Sequence, residues 1–160
     1  MQRFLALCVF LGAVIVIGSS GAAVKPQTFN LLEVSTSFAG AGGFDEHGNG
    51  PPKIGQGFVG TSTFYKWNGT KRGARFGTLN VACTFMTDPT SDSGKTLCTA
   101  VATFRTGTLT VTGLIGDGAN FEIPIVGGTG AYAGANGYVR VKQIGGDNSD
   151  NSADTIVITG

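Results

Sequence analysis

Beyond residue 23, no stretch of this chain sustains apolar residues at i, i+3, i+4 and i+7, so no helix has a face to bury. What recurs is short apolar–polar alternation broken by Gly, Asn and Asp. Thr and Val are plentiful and suit a pleated surface, whereas Glu occurs only at Glu33, Glu46 and Glu122. Eight such runs can be marked: 29–36, 55–67, 75–86, 96–104, 107–115, 119–126, 136–144 and 153–159. Asn68-Gly69 is a strong turn signal between the second and third runs. Asp88 to Gly94, Gly116 to Gly118 and Gly145 to Ser152 are polar connections. Eight antiparallel strands in one domain can close on themselves and remove exposed edges. The expected fold class is therefore all-β, an eight-stranded antiparallel β-barrel over 24–160, with an interior sized for side chains or one small ligand.

The first 23 residues follow different rules. Met1-Gln2-Arg3 is a short positive start, Phe4 to Ile17 is an almost unbroken apolar run, and Gly18 to Ala23 are small. This is the layout of a secretory signal peptide, with cleavage after Ala22 or Ala23, which predicts a secreted, extracellular protein. The apolar run of about 14 residues is short of the roughly 20 needed to span a bilayer, although an uncleaved anchor is the alternative. Removing this segment takes Arg3 with it and leaves the basic and acidic residues balanced. A chain without a basic stripe lacks the electrostatic footprint of a nucleic-acid binder, so no such partner is expected.

Export permits disulfides, and the two cysteines that remain, Cys83 and Cys98, suggest one bridge, the alternative being a reactive thiol. The pair also tests the strand register. If Cys83 faces Cys98, then Leu79, Val81, Cys83 and Phe85 share a face with Cys98, Ala100, Ala102 and Phe104, and that face is almost wholly apolar. The opposite face carries Thr78, Asn80, Ala82 and Thr84 with Thr99 and Thr103. A slip of one residue would scramble the segregation. Leu109, Val111 and Ile115 extend the apolar set, which is assigned to the interior. The reverse assignment would hold if the outer face were buried in an oligomer.

The densest motif is Phe121 to Val141, punctuated by glycines at 127, 128, 130, 134 and 137. Such positions mark sharp bends or close backbone approach. It is not a dinucleotide fingerprint, since no helix follows. Glu122-Ile123-Pro124, Gly127-Gly128-Thr129-Gly130, an aromatic at 132 and Gly134-Ala135-Asn136-Gly137-Tyr138 resemble the signature of dirigent proteins and of the allene oxide cyclases that share their barrel. Gly55-Gln56-Gly57 and Gly107 to Gly113 add to the resemblance.

That resemblance implies an eight-stranded barrel, often trimeric, that holds a hydrophobic or aromatic small molecule in a preorganised cavity and steers its coupling or cyclisation without a cofactor. In dirigent action a separate oxidase makes the radicals, and the barrel is not a catalyst by itself. A cyclase would be a cofactor-independent isomerase. Glu33 matches an acidic position on the family's first strand and is the candidate acid. Asn136 stands where many dirigent proteins carry Arg. Asn30 stands where the cyclases place a carboxylate, and Leu114 or Ile115 where they carry Tyr. Phe85, Phe104, Tyr132, Asn136 and Tyr138 are the candidate cavity residues.

Other groups have plainer readings. Asp147, Asp150 and Asp154 form an acidic, Asn-rich cluster read as a solvated loop, its spacing matching no calcium site. His47 stands alone and offers neither a triad nor a zinc set, so no metal is expected. Lys71, Arg72 and Arg75 read as a solvated face, and Asn68-Gly69-Thr70 as a hairpin tip that is also a formal glycosylation sequon. An open cavity bearing Glu33 and polar groups would favour the steering function, a wholly apolar one a ligand carrier, and a packed interior a structural or defence-related role.

Overall fold

The computed structural model of the chain describes residues 24–44, 51–91, 93–116, 118–145 and 151–160. The first 23 residues, read above as a signal peptide, His47, Asp147 and Asp150 lie outside the described residues. Eight strands follow in chain order: β1 (Gln27–Ala41), β2 (Gly57–Trp67), β3 (Arg72–Phe85), β4 (Lys95–Phe104), β5 (Gly107–Gly116), β6 (Asn120–Gly128), β7 (Gly137–Ile144) and β8 (Asn151–Ile158). Each pairs antiparallel with the next, and β8 returns to β1, so the sheet closes as a barrel.

The alternation in the sequence becomes the wall. Along β4 and β8 every second residue is buried: Thr96, Cys98, Ala100, Ala102 and Phe104 on one, Ser152, Asp154, Ile156 and Ile158 on the other. The register across β3 and β4 is the one the cysteines demand, with Cys83 opposite Cys98 and Leu79 opposite Ala102. The two cysteines form a disulfide and both are buried. Outside, the wall formed by 78–84, 97–103 and 108–114 carries no charged residue. A Thr99–Thr112 hydroxyl pair at 2.8 Å ties two of its strands.

Two glycines explain the dense motif. Gly130 (φ 60°) opens a short 3-10 turn, Gly130–Tyr132, where any Cβ would collide with the carbonyl of Thr106. Gly137 (φ 138°) starts β7 so close to the carbonyl of Val157 that any Cβ would collide with it. Both sit in the left-handed region, where a side chain is disfavoured. At the β2–β3 tip, the Asn68 side-chain oxygen accepts from the backbone N–H of Thr70 (3.1 Å) and Lys71 (2.7 Å), which fixes the turn.

The bridge spans a sequence separation of 15. In the chain-entropy model a loop of this size is worth about 3 kcal/mol, by limiting the unfolded chain. Equilibrium denaturation with and without reductant is expected to differ by that amount; coincident transitions would show that the bridge contributes nothing.

Candidate functional site: a half-filled lumen with a carboxyl pair

The interior is divided by side-chain size. On β4 the inward residues run small from Thr96 to Ala102 and end in Phe104; on β8 they run Ser152, Asp154, then Ile156 and Ile158. Gly60 and Ser62 of β2 add to the small set. Where small residues face one another the barrel stays hollow, leaving a cavity of about 370 Å³. That is enough for a small organic guest. The wall is mainly apolar, with Leu79, Val81, Val111, Ile123 and Val141 among its members. The cavity reaches the exposed strand ends at Phe38 and Ala119.

The other end is sealed by aromatic rings. Phe104 lies 5.2 Å from Phe76, 5.6 Å from Tyr132, 6.1 Å from Phe64 and 6.2 Å from Phe29, ring centre to ring centre. Phe64 faces the cavity, and the others back it. Tyr132, carried by the 3-10 turn, is buried, and its hydroxyl accepts from Thr106 Oγ1 at 3.3 Å.

Across β1 and β8, Glu33 lies opposite Ser152 and Leu31 opposite Asp154, so Asp154 is the diagonal neighbour of Glu33 on the inward face. The Ser152 hydroxyl stands between the two acids, 2.6 Å from Asp154 Oδ1 and 3.3 Å from Glu33 Oε2. Asp154 is 3% exposed, while Glu33 is half-buried and lines the cavity. Burial, then the neighbouring Glu33 charge, push the Asp154 carboxyl well above the ordinary aspartate range, against the opposing pull of the Ser152 hydrogen bond. The Asp154 carboxyl therefore keeps its proton more readily than an ordinary aspartate does, with Glu33 beside it. The arrangement can offer an acidic proton, or a strong hydrogen bond, to a guest in a largely apolar space.

The residues singled out in the sequence scatter. Glu33 lines the lumen. Phe104 and Tyr132 form the sealed end. Phe85 is half-buried towards the other end, against Phe44 (5.4 Å) and behind the cavity residue Phe58 (6.2 Å). Asn136 and Tyr138 do not reach the lumen. Asn136 is exposed, and its side-chain N–H groups donate to the carbonyls of Gly134 (3.1 Å) and Gly160 (3.0 Å), clamping a turn. Tyr138 alternates with buried Val139 and lies on the outer wall, with Arg140 stacked on its ring at 5.5 Å. Asp154 corrects the reading of the acidic cluster as a solvated loop. It belongs to β8 and shares the parity of Ile156 and Ile158, a signal already present in the alternation. Among the described residues, no group of three or more His, Cys, Asp or Glu could hold a metal ion.

A closed antiparallel barrel, hollow at one end and holding a carboxyl pair in its wall, defines the class of this molecule. The model of the allene oxide cyclase barrel-like domain matches residues 39–158, and the chain belongs to that family. No curated protein matches it in sequence. Among solved structures, it is similar to a pyocyanin demethylase at 22% identity and a TM-score of 0.66, covering 83% of this chain and 100% of the other. It is similar to an exo-specific intermolecular Diels-Alderase at 16% identity and TM-score 0.63, covering 85% and 99%. A pterocarpan synthase dirigent protein aligns at 17% identity and TM-score 0.59, covering 84% and 87%. At these identities the likeness is one of fold.

Proposed function

We propose that this is a secreted barrel that takes up a hydrophobic or aromatic small molecule and steers its cyclisation, with Glu33 and Asp154 as the acid pair. The observation that carries the reading is a buried carboxyl beside a second, cavity-lining one, in the wall of a largely apolar, guest-sized cavity. A fixed apolar wall keeps the reactive ends of a flexible guest together and favours one product. A proton donor aimed into that space stabilises negative charge as it develops. The pair supplies this chemistry from the chain itself, so the reading requires no cofactor. A separate oxidase is required only if the guest arrives as a radical, as in dirigent coupling.

The family match and the fold shared with a Diels-Alderase and a dirigent protein support a steering role. The disulfide and the leader-like first 23 residues support export. The uncharged outer wall at 78–84, 97–103 and 108–114 supports a homo-oligomer, a trimer by family resemblance.

The test is native mass spectrometry of the chain starting at Val24, incubated with a panel of polyenes and phenolic aromatics, followed by chiral chromatography of the products. One guest per barrel and an enantiomerically biased ring-closed product are expected. Ala100→Leu, which grows into the cavity, should abolish the adduct. No adduct, or one unaffected by Ala100→Leu, would refute lumen binding, and an adduct without any product would leave a carrier.

A further inference from the structure

The geometry points to a lumen selective by charge: its natural guest is an uncharged molecule bearing a carbonyl or ether oxygen, and carboxylate guests are rejected. This deepens the proposed function and rests on it. Among the described residues lining the cavity, the ionisable ones are Glu33 of β1 and Asp154 of β8; no Lys, Arg or His faces it. From the neighbouring strands, β7 contributes Val141 and Gln143 beside the pair, and β2 contributes Ser62 and Phe64.

Strand parity keeps the nearest cations out. Arg140 and Lys142 alternate with the lining residues Val139, Val141 and Gln143, so both point to solvent. Arg140 is satisfied there by Glu122 at 3.2 Å.

An anionic guest would therefore bring a further negative charge beside Glu33 and Asp154, in a largely apolar space where no described residue supplies a counter-ion. Burying an unpaired charge is far costlier than burying a hydrogen-bonded neutral oxygen. A ketone, aldehyde, quinone or epoxide oxygen can instead accept a hydrogen bond from the Asp154 carboxyl. The apolar remainder of the guest would fill the space left by Ala100, Ala102 and Gly60, towards the Phe64 ring. The same proton donor that anchors such an oxygen would polarise it for ring closure, so recognition and chemistry would use one contact.

The test uses two rigid probes of nearly equal shape at neutral pH, 2-acetylnaphthalene and 2-naphthoate, with affinities read by isothermal titration calorimetry. The wild-type barrel should bind the ketone more tightly by about tenfold or more, a difference of one charged contact. In Glu33→Gln/Asp154→Asn, which removes the charge and keeps side chains of similar size, the gap should close from the carboxylate side. Glu33→Gln alone serves if the double variant does not fold, since it removes the charge beside the protonated Asp154, and should narrow the gap in the same direction. Equal or tighter binding of naphthoate by the wild type would overturn the inference while leaving guest uptake intact. An unchanged gap in folded variants would also overturn it, since the discrimination would then come from elsewhere. Failure of both probes to bind the wild type would overturn guest uptake, and this inference with it.

Discussion

Phe104→Ala is expected to lower the free energy of unfolding by about 3–5 kcal/mol, the usual cost of deleting a buried ring from a core that cannot collapse around the gap. Phe104 is 7% exposed and has four aromatic neighbours within 6.2 Å. Those rings come from separate strands and from the 3-10 turn of a closed barrel, so they cannot move together to refill the space. The lost area and edge-to-face contacts therefore add to a cavity cost. Urea denaturation followed by far-ultraviolet circular dichroism measures the effect. A loss below about 1 kcal/mol would mean that the sealed end repacks freely, contrary to the usual cost of such a gap. Phe104→Leu should recover part of the loss, because it restores much of the volume.

Asp154→Asn should cut turnover by about 10²- to 10⁴-fold, the usual contribution of a positioned general acid, once a substrate is in hand. The same substitution has an opposite effect on stability. The folded state holds the Asp154 proton more tightly than the unfolded chain does. Wild-type stability should therefore fall as pH rises from the ordinary aspartate range to the raised value, and level off above it. Asparagine has no proton to lose, and its side-chain oxygen can still accept from Ser152, so the variant lacks that slope. Its stability relative to wild type should rise through this window. Thermal melts at a series of pH values decide the matter. Parallel curves for the two proteins would show that Asp154 titrates normally and is not the buried acid described here. An inactive variant that is also more stable would mark Asp154 as a position where stability is given up for chemistry.

The barrel was legible because its evidence is periodic. Alternation gives strands, turn residues divide them, and the pair Cys83 and Cys98 pins one register from which the inward face of β3 and β4 follows. The lumen was harder to see, because a hollow depends on where small residues face one another across strands far apart in sequence. Gly60, Ala100 and Ala102 look ordinary until the sheet closes. Asp154 was hidden for a different reason. The polar run before it, Gly145 to Ser152, suggested a loop, and composition outweighed parity even though Ile156 and Ile158 two and four residues on announce the inward face. Asn136 and Tyr138 were drawn in by their place in a motif. The motif's glycines serve the sealed end, where Gly130 and Gly137 let the backbone pass close to β5 and β8. A conspicuous sequence block can thus mark how a container is stoppered rather than where its contents sit.

The ring of Phe29, Phe64, Phe76, Phe104 and Tyr132 has a kinetic corollary. With one end stoppered, whatever enters must back out through the same doorway, and a product shaped like its precursor would obstruct the next arrival. If the barrel turns over a guest as proposed, its rate would be governed by departure, and the product would be its own natural inhibitor.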